Sequence, residues 1–111
     1  MGMLVIVEVS VAGNERPPSG APVRVEARDT SLADARAPTV ATAQGEVRGQ
    51  RGSWLDTVEM ELSRLPDECT IWAHVDVDRD GRVSPGDFVT TASYPVRADG
   101  EARVPVTVRQ V

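Results

Sequence analysis

The stretch Pro22-Val-Arg-Val-Glu-Ala-Arg-Asp29 sets Val23, Val25 and Ala27 on one side and charged Arg24, Glu26 and Arg28 on the other. A period of two is what a pleated strand with one dry face requires, because successive side chains leave it in opposite directions. Toward the N-terminus, Val5, Val7, Val9 and Val11 repeat that period, and residues 12–21, with Pro17-Pro18 between Gly13 and Gly20, form a loop because they cannot extend a ladder. Toward the C-terminus, Ser31 to Ala37 reads as a turn or one helical turn closed by Pro38, and a weaker third strand covers about Thr39 to Val47. In the fourth strand Trp54, Val58, Met60 and Leu62 alternate with Thr57, Glu59, Glu61 and Ser63, and Pro66-Asp67 turns the chain. Cys69, Ile71, Ala73, Val75 and Val77 face one way in the fifth, with Thr70, Trp72 and His74 on the other side. Phe88, Thr90, Ala92 and Tyr94 make a sixth strand, Asp99-Gly100 is a hairpin turn signal, and Val104, Val106 and Val108 make a seventh, which Pro105 should place at a sheet edge.

Seven short strands and no long helical pattern predict an all-β domain spanning residues 1–111, either an immunoglobulin-like or transthyretin-like sandwich or, as the alternative, a small β-barrel. Alternation alone does not distinguish two packed sheets from one closed sheet. Of the 111 residues 41% are hydrophobic and 26% charged, which suits one ordinary globular core. All twelve basic residues are Arg, a usage that fits a GC-rich bacterial genome. The net charge is −5, with four of the seventeen carboxylates in one twelve-residue loop, and without a basic stripe to neutralise phosphates no nucleic-acid partner is expected.

A single Cys69 excludes an internal disulfide and reads as a buried core thiol, while one His and no Cys-x-x-Cys leave no zinc-ligand spacing. Met1-Gly-Met leads straight into a strand, so the expected location is cytoplasmic, or periplasmic or cell-envelope if a leader precedes it. The longest apolar run falls far short of the roughly 20 residues that span a bilayer.

The loop Asp76-Val-Asp78-Arg-Asp80-Gly81-Arg82-Val-Ser84-Pro-Gly-Asp87 carries the strongest chemical signal. Carboxylates at positions 1, 3, 5 and 12, Gly at 6 and an apolar residue at 8 follow the EF-hand calcium loop, with Asp in place of Glu at 12. Calcium takes six to eight oxygens, and Asp76, Asp78, Asp80, the Arg82 carbonyl, Ser84 or a water beside it, and Asp87 are the expected donors. The flanks are strands, so this is a calcium loop in a β-hairpin with affinity at the weak end, Kd about 10⁻⁴ to 10⁻³ M. A plain acidic turn at Asp80-Gly81, its charge offset by Arg79 and Arg82, is the competing reading.

Trp72 and His74, beside this loop, form a candidate partner-binding patch, or a merely half-exposed pair of sheet residues. Gly45-x-x-x-Gly49-x-x-Gly52 is a loop and not a phosphate cradle, since no helix N-terminus follows it. No catalytic residues are assigned and no enzyme is expected, because neither a Gly-x-Ser-x-Gly nor a His-Glu-x-x-His sequence occurs. A protein partner held through a sheet edge is the expected mode of action, with the first or third strand as the open edge.

Pro22-Val-Arg-Val-Glu-Ala-Arg-Asp29-Thr-Ser31-Leu-Ala-Asp34-Ala-Arg-Ala-Pro38 resembles the opening strand and turn of the type III secretion pilotin (YscW-type) and YbaY-like lipoprotein family. Phe88-Val-Thr-Thr-Ala-Ser-Tyr94-Pro-Val96 resembles its closing strand. The resemblance implies a small β-sandwich at the bacterial envelope, where pilotin-type members help outer-membrane secretins to assemble. The family's lipid anchor uses a Cys at the mature N-terminus, whereas Cys69 is internal, and the acidic loop is longer than the family's turn.

Overall fold

The computed structural model describes residues 3–31, 37–48, 52–96 and 102–111. The Ser31 to Ala37 turn, the Asp99-Gly100 turn and Gly49 fall wholly or centrally outside these. Seven strands follow in chain order: β1 (Met3–Val11), β2 (Pro22–Asp29), β3 (Thr39–Glu46), β4 (Trp54–Leu62), β5 (Cys69–Val75), β6 (Phe88–Thr90) and β7 (Arg103–Gln110). No helix occurs among the described residues; in particular none is long and apolar enough to cross a membrane.

All seven strands belong to one sheet in the order β3-β2-β5-β6-β7-β1-β4. Every neighbouring pair is antiparallel except β1 with β7, which run parallel. The two outermost strands, β3 and β4, come back into contact, so the sheet is a nearly closed barrel. The all-β expectation holds, and of the two arrangements left open the single curled sheet is the one adopted. Two separately packed sheets are not formed, because β7 pairs with both β6 and β1 and so joins what a sandwich would keep apart.

The period-two residues of β1, β2, β5 and β7 point inward as expected, and Val5, Val7, Val9, Val23, Val25, Val75 and Val108 are wholly buried. Each contributes about 1.5–3 kcal/mol by leaving water. The interior is narrow, which suits small β-branched side chains, with Phe88 the one large aromatic ring in it.

Three details depart from the sequence reading. Pro105 does not make β7 an outer strand, since β7 lies between β6 and β1; but β6 pairs only with Val108–Gln110, so Pro105, exposed opposite Glu8 in the parallel pairing, lies on a stretch of β7 that pairs with β1 alone. The first strand is interior too, so the edges are β3 and β4. The sixth strand stops at Thr90, with Ala92 exposed, and Tyr94 returns to β5 by accepting the Ile71 N–H at 2.9 Å.

In β4 the register against β1 shifts between Val9 and Ser10, so that Leu55 is the extra residue of a bulge. The bulge adds Leu55 to the buried residues beside Asp56, which keeps the inward phase of Val58, Met60 and Leu62. Asp56 then closes the β3–β4 seam where no strand pairing does. Its Oδ2 accepts the Glu46 N–H at 3.1 Å, and its Oδ1 accepts the Thr57 N–H at 2.8 Å and the Arg48 Nε–H at 3.1 Å.

Candidate functional site

The acidic loop begins where β5 ends and finishes at β6, whose Phe88 is opposite Val75. It is pinned at both ends: the Asp76 N–H donates to Pro22 O at 2.9 Å, and the Val111 N–H donates to Asp87 O at 2.8 Å. Arg79 and Gly81 adopt left-handed φ of 58° and 77°, which wind the chain tightly; the open space around Gly81 leaves backbone conformation as the reason for glycine there.

That winding directs the carboxylates toward one another. Oxygens of Asp76, Asp78, Asp80 and Asp87 all lie within 4.8 Å of one another. Asp76 Oδ2 accepts the Gly81 N–H at 2.8 Å, while its Oδ1 is out of solvent with no hydrogen-bond partner. Asp80 Oδ1 accepts the Arg82 N–H at 2.9 Å, and Ser84 Oγ donates to Asp78 Oδ2 at 2.8 Å. The Ser84 hydroxyl beside Asp78 holds that carboxyl below the usual range. Five of the six expected donors are therefore gathered, and the Arg82 backbone is tied into the same turn.

Asp87 is the loop's buried member, fully out of water. Its Oδ1 accepts the Val77 N–H at 2.9 Å; its Oδ2 accepts the Ser84 N–H at 3.1 Å and lies 2.8 Å from His74 Nε2. Burial alone pushes its pKa up, but hydrogen bonds from His74, Val77 and Ser84 outweigh that and leave it below the ordinary value. The carboxylate accepts, so Nε2 of His74 carries the proton.

His74 is thus only 1% exposed although it points away from the barrel interior, because the loop folds over it. The expected Trp72–His74 patch is divided. The two rings are 5.6 Å apart, but only Trp72 reaches the surface, half-buried, with the Arg28 guanidinium 4.3 Å and the Arg24 guanidinium 5.8 Å from its ring centre. Glu26 lies between those arginines, at 3.0 Å from Arg28 and 3.3 Å from Arg24. Trp72, Glu26, Thr39 and Val83 line a groove of about 420 Å³ there.

Neither the seam carboxylate Asp56 nor the His74–Asp87 contact is visible in the alternation. Trp54-Leu55-Asp56 does break the period of two in β4, and that break is the signal of the bulge.

No protein-family model and no curated protein matches the chain. Among solved structures it is similar to an alternative pilotin from the type II secretion system of Vibrio cholerae, with 24% identity and a TM-score of 0.76 over 100% of this chain and 98% of that one. The likeness is one of fold along the whole chain. It agrees with the pilotin side of the sequence resemblance, but the system is type II and not type III.

Proposed function

We propose that this chain is a non-catalytic, pilotin-like interaction module of the bacterial envelope, which holds a segment of a secretion-apparatus protein along the free edge of β3. The observation that carries the reading is the whole-length fold likeness to an alternative pilotin, and the edge of β3 beyond the Glu46 end that Asp56 ties to β4 supplies a place for the partner. Strand β3 is the most exposed of the longer strands, with Val40 at the surface. The Val47 N–H points to Ala21 beside β2, whereas the Glu46 N–H points to Asp56 across the seam. Alternation then turns the Gln44 and Thr42 N–H groups away from β2, ready to pair with an added strand.

The experiment is a titration of the isotope-labelled chain with peptides that span an outer-membrane secretin from the same organism. Shift changes along Thr39–Glu46 that vanish in Thr42→Pro or Gln44→Pro, with the melting temperature kept, support the reading; changes confined to the Trp72 face overturn it.

A second reading concerns the acidic loop: it is a calcium site, with Asp76, Asp78, Asp80, Ser84, Asp87 and the Arg82 carbonyl as donors. What favours it over a plain turn is the buried, partnerless Oδ1 of Asp76 beside three further carboxylates. A bare turn leaves that oxygen desolvated without return. Two oxygens that share one calcium at about 2.4 Å are at most about 4.8 Å apart, and oxygens of the four aspartates fall within that limit. Calorimetric titration with calcium tests it, and absence of binding heat at millimolar calcium returns the loop to a plain turn.

A further inference from the structure

The cation reading has a sharper form, which rests on it. We infer that the loop holds its ion with six oxygens, that Asp87 supplies one of them, and that His74 decides this, so that calcium is poorly discriminated from magnesium.

An EF-hand loop exceeds six oxygens because the glutamate at its last position gives two. Asp87 is one methylene shorter and is already engaged. A carboxylate has about four lone-pair sites. On Oδ2 both are used, by His74 Nε2 at 2.8 Å and the Ser84 N–H at 3.1 Å. On Oδ1 one is used, by the Val77 N–H at 2.9 Å. The Ser84 hydroxyl, 3.4 Å from Oδ2, is committed to Asp78 at 2.8 Å. One site on Oδ1 therefore remains for a cation.

The other donors cannot restore the higher number. In an EF-hand loop only the last position gives two oxygens, so Asp76 is counted for one, its unpartnered Oδ1, while its Oδ2 accepts the Gly81 N–H at 2.8 Å. Asp80 has one oxygen accepting the Arg82 N–H and Asp78 has one accepting the Ser84 hydroxyl. One oxygen from each of four aspartates, the Arg82 carbonyl and the Ser84 position make six. Six oxygens in an octahedron are what magnesium and manganese demand, whereas calcium gains from the seventh or eighth that this loop withholds.

His74 acts as a positioning residue. It is buried under the loop on β5, and its 2.8 Å hydrogen bond engages Oδ2. Losing its donor frees Oδ2 to turn toward the cation, which raises the coordination number and favours calcium.

The test is calorimetric titration of the folded chain with calcium and with magnesium, separately. The wild type should bind both with dissociation constants within about tenfold of one another. His74→Leu should raise the calcium-to-magnesium affinity ratio, and His74→Gln, which keeps an N–H donor, should keep the wild-type ratio. Calcium bound more than about a hundredfold tighter than magnesium by the wild type overturns the inference and leaves the cation site standing. Equal loss of both affinities in His74→Leu overturns the role of His74. If His74→Leu does not fold, the wild-type ratio alone decides, and absence of binding by either cation overturns the cation reading together with this inference.

Discussion

His74 Nε2 and Asp87 Oδ2 meet at 2.8 Å in a buried contact on the outside of the barrel, under the loop that Asp87 ends. A histidine on the outer face of β5 is thereby converted from a surface residue into the anchor of the acidic loop.

That contact predicts a pH dependence. The folded pKa of Asp87 is depressed, so its contribution to stability is fully present above the unfolded carboxyl value of about 3.9 and is lost as pH falls through the folded value. Melting temperatures in metal-free buffer should fall more steeply below about pH 4 for the wild type than for Asp87→Asn. Parallel acid curves for the two proteins would contradict this.

Cation binding should raise the melting temperature, because an ion that binds the folded loop alone stabilises it by about 2.7 kcal/mol at a hundredfold excess over Kd. Asp76→Asn with Asp78→Asn should abolish the response and stabilise the metal-free form, since like charges at close range are removed. A thermal shift retained by the double variant would place the ion elsewhere.

The seam makes a separate prediction. A Cβ on Gly45 would overlap Asp56 Oδ2, so Gly45→Ala should destabilise by about 1–3 kcal/mol through displacement of that carboxylate. Asp56→Ala should cost about 1–3 kcal/mol by stranding the Glu46 and Thr57 N–H groups. The double variant should cost less than the sum, because both act on one contact. Denaturant unfolding reads all three, and strict additivity would separate the two residues.

Cys69 is buried and its thiol pKa is raised by burial, reinforced by the nearby Asp29 charge. It should resist aromatic disulfide reagents in the native protein and react at the rate of unfolding. Rapid stoichiometric labelling without denaturant would show that the β5 end of the barrel opens locally.

The interior strands were legible because burial imposes a period of two, and Val23, Val25 and Ala27 report it directly. Pro105 misled about the strand's place in the sheet because a missing N–H needs only a locally unpaired stretch: the pairing of β6 ends at Val108, and Pro105 pairs with β1 alone. In the loop, spacing alone gathered Asp76, Asp78, Asp80 and Asp87. Alternation could not show that His74, an outward residue of β5, would be covered, because covering depends on where a loop folds and not on which face a residue takes. Asp56 escaped for a different reason: it keeps the inward phase of Val58, Met60 and Leu62, but alternation does not show that a carboxylate on that face meets the backbone of β3.

The parallel pairing of β1 with β7 sets residues 6–11 against residues 103–108, almost the full length of the chain apart. A chain emerging from the ribosome, or threading through a membrane pore, cannot complete this contact until its last strand has appeared. β1 can pair early with β4, but its other side waits. Closing so long a loop is entropically costly and slow. The order of synthesis therefore delays the finished barrel until β7 has emerged, and a chain lacking β7 would lose two strand interfaces at once.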